Sequence, residues 1–248
     1  AQTHHKPSIV ITFFPPSKVF FQGGDFLSSE AEKLDLLRIY EPDAVVVIPF
    51  NEFYTHTPKE DFLAQLAGLE PHTIIVGEDF RFGFKRQGTL NDLSHLPERL
   101  EVFGMKRIHG EEVKSTLIRQ LLSEGNVEAV KPFLGRSYSA QGVVVEGDKR
   151  GRTIGFPTAN IKTPKGKALP LGVFAVNVDT EQGKFKGIAN VGPRPSFPND
   201  PPSLEVYLFD FEGDLYGQTL TVYFEAFIRA QKKFSGLEEL KMQLEQDK

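Results

Sequence analysis

Apolar residues in the first half of the chain come in short runs that alternate with helix-period segments. Residues 9–14 (IVITFF) are stopped by Pro15 and Pro16, which predicts a buried strand. Ser29 followed by Glu32 reads as a capping box, and Leu34, Leu36, Leu37 and Ile39 continue a helix. Residues 44–48 (AVVVI) predict a second buried strand. Thr57-Pro58-Lys59-Glu60 predicts a helix start, with a cap, then proline first and glutamate third. Residues 73–76 (TIIV) predict a third strand and residues 101–103 a fourth. Another helix is expected from Ser115, with Leu117, Ile118, Leu121 and Leu122 on one face. Strands alternating with helices imply a parallel sheet with helical crossovers.

The pattern changes between residues 124 and 136. Beyond that point helical periodicity disappears until the C-terminus. Residues 142–146, 172–178, 185–191, 204–211 and 220–228 read as strands separated by Gly, Pro, Asn and Asp. That spacing predicts an antiparallel barrel. Residues 235–246 (SGLEELKMQLEQ) predict a closing amphipathic helix. The fold class is therefore α/β plus β, with domains expected over 1–124 and 125–248.

The chain has 248 residues, 40% hydrophobic and 25% charged, enough for two ordinary globular domains. A net charge of -4, with no long basic run, gives no electrostatic case for nucleic acid. The absence of cysteine excludes disulfides and thiolate chemistry and fits a cytoplasmic protein. No apolar run approaches the length needed to span a bilayer. Residues 1–8 (AQTHHKPS) lack a signal-peptide core and lead almost at once into a strand, as the middle of a longer protein would. Composition leaves self-association open.

One stretch, 147–160 (GDKRGRTIGFPTAN), carries the clearest chemistry. Gly147, Gly151 and Gly155 allow close backbone approach to a ligand, and Lys149, Arg150 and Arg152 add positive charge among them. Backbone donors with cations suit a polyphosphate, although the Walker spacing is missing. Pro157 pushes Phe156 towards extended backbone. In an extended 158–160 segment, the Thr158 hydroxyl and the Asn160 amide oxygen share one face, as neutral oxygens suited to Mg²⁺ that also holds phosphate. A glycine-rich hairpin, with Thr158 and Asn160 serving turns, accounts for the same residues equally well.

This stretch resembles the riboflavin kinase motif. The resemblance extends through Gly135-Arg136, Gly172-Val173, Asn190-Val191-Gly192, Arg194-Pro195, Leu204-Glu205-Val206, Asp210-Phe211, Asp214-Leu215-Tyr216-Gly217, Ile228-Arg229 and Lys233-Phe234. It implies that Gly147, Lys149, Gly151, Arg152, Gly155, Pro157, Thr158 and Asn160 bind ATP, with Thr158 and Asn160 also holding Mg²⁺. It makes Glu205 the general base, and Asn190, Asp210 and Arg229 flavin-side residues. Bottom-up, Glu205 lies inside the apolar run 204–209, where a carboxylate faces either solvent or a site. Tyr216 and Phe234 fit either ring stacking or core packing.

Residues 9–122 resemble the flavin-adenylylating domain fused to this kinase in bacterial bifunctional enzymes. The matching pieces are Thr12-Phe13, Pro49-Phe50, the 76–83 run VGEDFRFG and the 115–119 run STLIR. The resemblance implies nucleotide binding by Gly77, Asp79, Ser115, Thr116 and Arg119. Ser115 and Thr116 stand at a helix start, where free N–H groups attract phosphate; a capped helix with a surface arginine is the plainer alternative. The family's HxGH motif does not occur in this sequence, since His4 and His5 are adjacent and precede a later strand. The first strand and its motif are therefore expected to be missing, and the C-terminal helix to be shorter than the family's. His56, His72, His95 and His109 show no zinc spacing.

The resemblance implies synthesis of FMN from riboflavin and of FAD from FMN, with ATP and Mg²⁺. Riboflavin, FMN and ATP are the implied small-molecule partners; no nucleic acid or membrane partner is expected. A kinase with a non-catalytic first half is the nearest alternative. A flavin-binding module without catalysis would have no use for a base and metal ligands, and a nucleic-acid-binding barrel lacks the basic-aromatic stripe.

Overall fold

The computed structural model describes residues 6–147, 156–193, 202–232, 234 and 236–248. In chain order the elements are β1 (Ile9–Phe14), α1 (Ser17–Gln22), α2 (Glu30–Arg38), β2 (Ala44–Pro49), α3 (Glu52–Thr55), α4 (Lys59–Ala67), β3 (Thr73–Gly77), α5 (Leu90–Leu93) and β4 (Arg99–Phe103). There follow β5 (Arg107–Ile108), β6 (Glu111–Glu112), α6 (Ser115–Ser123), α7 (Val127–Leu134), β7 (Tyr138–Val145), β8 (Thr158–Lys162), β9 (Gly172–Thr180), β10 (Gly183–Gly192), β11 (Ser203–Leu208), β12 (Thr219–Arg229) and α8 (Leu237–Asp247). They gather into two compact units. One runs to Gly23 and resumes over Leu37–Val113; the other takes Gly24–Leu36 and Lys114–Lys248. No helix among the described residues is long and apolar enough to cross a membrane.

In the first unit β1 pairs with β2 and β3 with β4, both in parallel, as the alternation of strands and helices predicts. The strands are not buried throughout. Ile9, Val46, Ile75, Val102 and Phe103 are exposed, while Phe13, Ile74 and Val76 pack on Phe62, Phe82 and Leu93. Successive side chains of a strand point to opposite faces, so Ile75 faces out while Ile74 and Val76 reach the core. The start of α4 also differs from expectation. Pro58 takes the cap position without a side-chain bond, and the Thr57 carbonyl instead accepts the Phe84 N–H at 2.7 Å.

The second unit is a closed antiparallel barrel of order β10-β11-β8-β7-β12-β9. Alternation along β11 sends Leu204, Val206 and Leu208 inward, where they meet Ile161, Ala189, Val191, Val178 and Phe224. Residues 127–134, expected to be a non-helical boundary, form α7, which buries Val127 and Val130. Its ends carry ordinary signals. The Asn126 side chain accepts the Ala129 N–H, and Gly135 closes the helix at φ +70°. Pro132, inside the helix, hides the periodicity.

Residues 24–36 come from the first half of the sequence but belong to the barrel unit. The Phe26 N–H donates to the Gly166 carbonyl, and the Ala168 N–H donates back to the Phe26 carbonyl. The capping box forms as predicted: the Ser29 N–H donates to Glu32 Oε2 at 2.7 Å and the Glu32 N–H to Ser29 Oγ at 3.2 Å. Glu32 also accepts from Lys167 Nζ at 2.8 Å and from the Gln141 N–H at 2.7 Å. Lys167 completes its three donors on the Leu27 and Ser139 carbonyls, both at 2.7 Å. Burial, only partly offset by Glu32, pulls the Lys167 ammonium down to about 8. The Tyr138 hydroxyl, donating to the Ala168 carbonyl at 2.6 Å, is pushed well above its ordinary range by burial.

Candidate active site

Three polar residues lie in one row across adjacent barrel strands. In the strand register Asn160 of β8 stands opposite Glu205 of β11, and Glu205 stands opposite Asn190 of β10. Their strand neighbours Ile161, Leu204, Val206, Ala189 and Val191 are buried inside the barrel, so the row faces outward. Adjacent strands lie about 4.8 Å apart, which puts Glu205 within side-chain reach of both amides. Thr158, opposite Tyr207, shares the face of Asn160. The expected pairing of a hydroxyl and an amide oxygen on one face is therefore met by the backbone.

The glycine-rich stretch begins against this row. Gly147 follows β7, whose Val145 pairs with Asn160. A Cβ at Gly147 would overlap the Asn160 carboxamide, so any side chain there would displace that amide. Lys149, Gly151, Arg152 and Gly155 lie outside the described residues. Pro157 and Thr158 line a cavity of about 100 Å³ with Leu208, Asp214 and Tyr216. Sequence reasoning missed this cavity. Its apolar wall comes from inward-facing positions of β7 and β11 that look like ordinary core.

On the far side of Asn190 the row meets the exit of β12. Asn190 stands opposite Val173 of β9, and Val173 opposite Arg229. The Arg229 guanidinium is held by Asp247 of α8, with bonds of 2.7 and 2.9 Å, and lies over the Phe234 ring at 5.8 Å. Gln231 Nε2 donates to Asn190 Oδ1 at 3.0 Å. Lys248 Nζ lies 5.0 Å from the Phe156 ring centre and 5.4 Å from that of Tyr207. Asp210 does not join the row. It is exposed in the turn after β11 with φ +53°, five residues beyond Glu205 and past the end of the strand.

The remaining expected residues divide between the units. Gly77 ends β3, and Asp79 is exposed in the turn just after it; Glu78 between them accepts the Met105 N–H at 2.9 Å. Ser115 and Thr116 open α6 with exposed side chains, in the unit that holds the barrel. Arg119 Nε donates to the Asp25 carbonyl at 2.6 Å. Among the described residues no cluster of three or more His, Asp or Glu is placed to hold a metal.

Comparison with known proteins divides the chain in a similar way. A riboflavin kinase family model matches residues 134–248, and an FAD synthetase family model matches residues 1–119. A bifunctional riboflavin kinase/FMN adenylyltransferase of Buchnera aphidicola is 34% identical over 99% of this chain and 82% of its own length. One from Bacillus subtilis is 32% identical over 96% of this chain and 79% of its own, and one from Escherichia coli K12 33% identical over 87% and 71%. A crystal structure described as a macrolide-efflux protein from Streptococcus pneumoniae superposes with a TM-score of 0.86. It shares 28% identity and covers 100% of this chain and 84% of that one.

Proposed function

The chain belongs to the bifunctional riboflavin kinase/FMN adenylyltransferase family, and from that premise we propose that the Asn160–Glu205–Asn190 row is the kinase centre. The barrel half phosphorylates riboflavin to FMN, and the first half transfers AMP from ATP to FMN, giving FAD and pyrophosphate. The reading assigns adenylylation to the expected domain 1–124 and phosphorylation to 125–248, with residues 24–36 and 114–124 packed in the barrel unit, in the cytoplasm. The observation that carries the kinase reading is the place of Glu205, between an amide on the nucleotide side and an amide on the flavin side.

Thr158 and Asn160 offer neutral oxygens on one face at the mouth of the glycine-rich stretch, a donor set that fits Mg²⁺ shared with phosphate oxygens. Bound there, Mg²⁺ would neutralise charge on the phosphates. The cavity beside Thr158 has the apolar wall and polar edge that an adenine base needs. Gly147 lets the chain cross Asn160 closely enough for backbone donors to cover a polyphosphate.

With riboflavin on the Asn190 side, its 5′-hydroxyl lies within reach of Glu205. Glu205 accepts the hydroxyl proton as the oxygen takes the γ-phosphoryl group, and ADP leaves. Asn190 and Arg229 support the flavin side; Asp210, assigned to the flavin by the resemblance alone, stands away from the row. For adenylylation, Gly77 and Asp79 are the nucleotide residues of the first unit; the resemblance also assigns nucleotide contacts to Ser115, Thr116 and Arg119, which belong to the barrel unit. Separating riboflavin, FMN and FAD by chromatography after incubation with ATP and Mg²⁺ tests this reading. FMN formation that disappears in Glu205→Gln is expected, and undiminished FMN formation would overturn the assignment.

A further inference from the structure

Gln231 lies beyond the end of β12, outside the row, between the Ile228-Arg229 and Lys233-Phe234 pieces of the family resemblance and part of neither. It is nevertheless the side chain that holds Asn190, through the 3.0 Å bond from Nε2 to Oδ1. Two further features fix it there. Gly192, two residues beyond Asn190 on β10, has no side chain, and a Cβ at that position would overlap the Gln231 amide. Arg229, two residues before Gln231, is clamped by Asp247 through three bonds of 2.7 to 3.2 Å, which sets the direction in which the chain leaves β12.

We propose that Gln231 is a positioning residue for the kinase reaction, acting through Asn190 on the flavin side of Glu205. The inference rests on the reading of Glu205 as the base. A carboxamide is planar, with its acceptor on one edge and its two donor hydrogens on the other. Once Oδ1 is committed to Gln231, the NH₂ edge is turned away from Gln231. Asn190 stands directly opposite Glu205, so that edge serves a carboxylate or a substrate hydroxyl beside it. Without Gln231 the amide is free to rotate and present its oxygen to Glu205. An oxygen there sets acceptor against acceptor and takes the Asn190 donors away from the carboxylate and the substrate hydroxyl. Thr158 and Asn160 lie on the opposite side of Glu205, so nucleotide handling is spared.

The test is a double-mutant cycle in the full chain, read by steady-state FMN formation. Gln231→Leu and Gln231→Ala are each made alone and with Asn190→Ala. Gln231 is exposed, so thermal midpoints are expected to stay at the parent value. Either single variant is expected to lower kcat/KM for riboflavin about tenfold, the order of one lost hydrogen bond. KM for ATP stays unchanged, a split that a general loss of structure would not give. In the Asn190→Ala background, replacing Gln231 is expected to change turnover by less than about twofold. Equal losses in both backgrounds, or no loss in either, would overturn the proposal. Glu205→Gln is assayed separately. If it turns over normally the base reading fails, whereas dependence of the Gln231 effect on Asn190 tests the positioning role itself.

Discussion

Glu32 and Lys167, separated by 135 positions in the sequence, form an ion pair of 2.8 Å in which the lysine side chain is 1% exposed and the glutamate 7%. The pair is supported on every side: both Glu32 oxygens accept backbone N–H groups, and Lys167 reaches two carbonyls besides Glu32. Removing one partner leaves the other charged and buried. Lys167→Met or Glu32→Leu should cost about 3–5 kcal/mol in urea unfolding, while Glu32→Leu combined with Lys167→Met should recover much of that loss.

The same pair predicts a pH dependence of stability. The Lys167 pKa is near 8 in the folded chain and 10.5 in its absence. Below about pH 8 both states hold the proton. Between about 8 and 10.5 the unfolded chain binds the extra proton, so stability from this group rises with pH, by about 3 kcal/mol across the window. Tyr138 acts in the opposite sense. Its folded pKa lies well above 10, so its contribution is present below pH 10 and is lost above it. Urea midpoints from pH 7.5 to 9.5 should climb in the parent and lose that climb in Lys167→Met. A parallel slope in both would show that Lys167 does not titrate in this range.

Glu205→Ala should lower kcat for FMN formation by on the order of a hundredfold or more, the range for a lost general base, while riboflavin still binds. Quenching of riboflavin fluorescence measures the binding and single-turnover assays the chemistry. Near-parent turnover would remove Glu205 from the mechanism.

Gly147→Ala places a methyl group where the Asn160 carboxamide now lies. Displacing that amide should raise KM for Mg-ATP on the order of tenfold, with riboflavin binding unchanged. Thr158→Ala should raise the Mg²⁺ concentration needed for half-maximal rate. A Thr158→Ala enzyme with the parent's Mg²⁺ dependence would argue against the oxygen pair.

Arg229→Ala should loosen α8, because Asp247, whose side chain is 2% exposed, would lose its guanidinium partner. Hydrogen exchange over residues 237–247 should accelerate, and exchange in β10 and β11 should stay slow. Unchanged protection of α8 would mean that its own packing holds it.

Parts of this architecture are written locally in the sequence. Ser29 and Glu32 are three residues apart, and the bond between them is a helix-start signal that needs no knowledge of the rest of the fold. The alternation of Leu204, Glu205, Val206 and Tyr207 places a carboxylate on one face of a strand, and the barrel puts that face outward. The pairing of Glu32 with Lys167 is different, because nothing near either residue selects the other; the barrel brings them together. Arg229 could be singled out from its motif, but not the fact that Asp247 takes its guanidinium. Pro132 concealed α7 because a proline in the interior of a pattern reads as a break. Gln231 stood between two motif pieces without belonging to either; an exposed glutamine after a strand is ordinary in composition and distinctive only through the amide it touches.

The chain passes between its two compact units at Gly23–Gly24, again at Leu36–Leu37 and again at Val113–Lys114. No single break in the gene can therefore divide it into two self-contained products. A barrel begun after residue 124 would leave behind the residues that neutralise Lys167, and a first half ended there would carry a helix made for another body. Splitting these activities into separate polypeptides would require residues 24–36 to be supplied again to the barrel, by duplication or as a peptide in trans. The connectivity thus gives a physical reason for one gene to stay one gene.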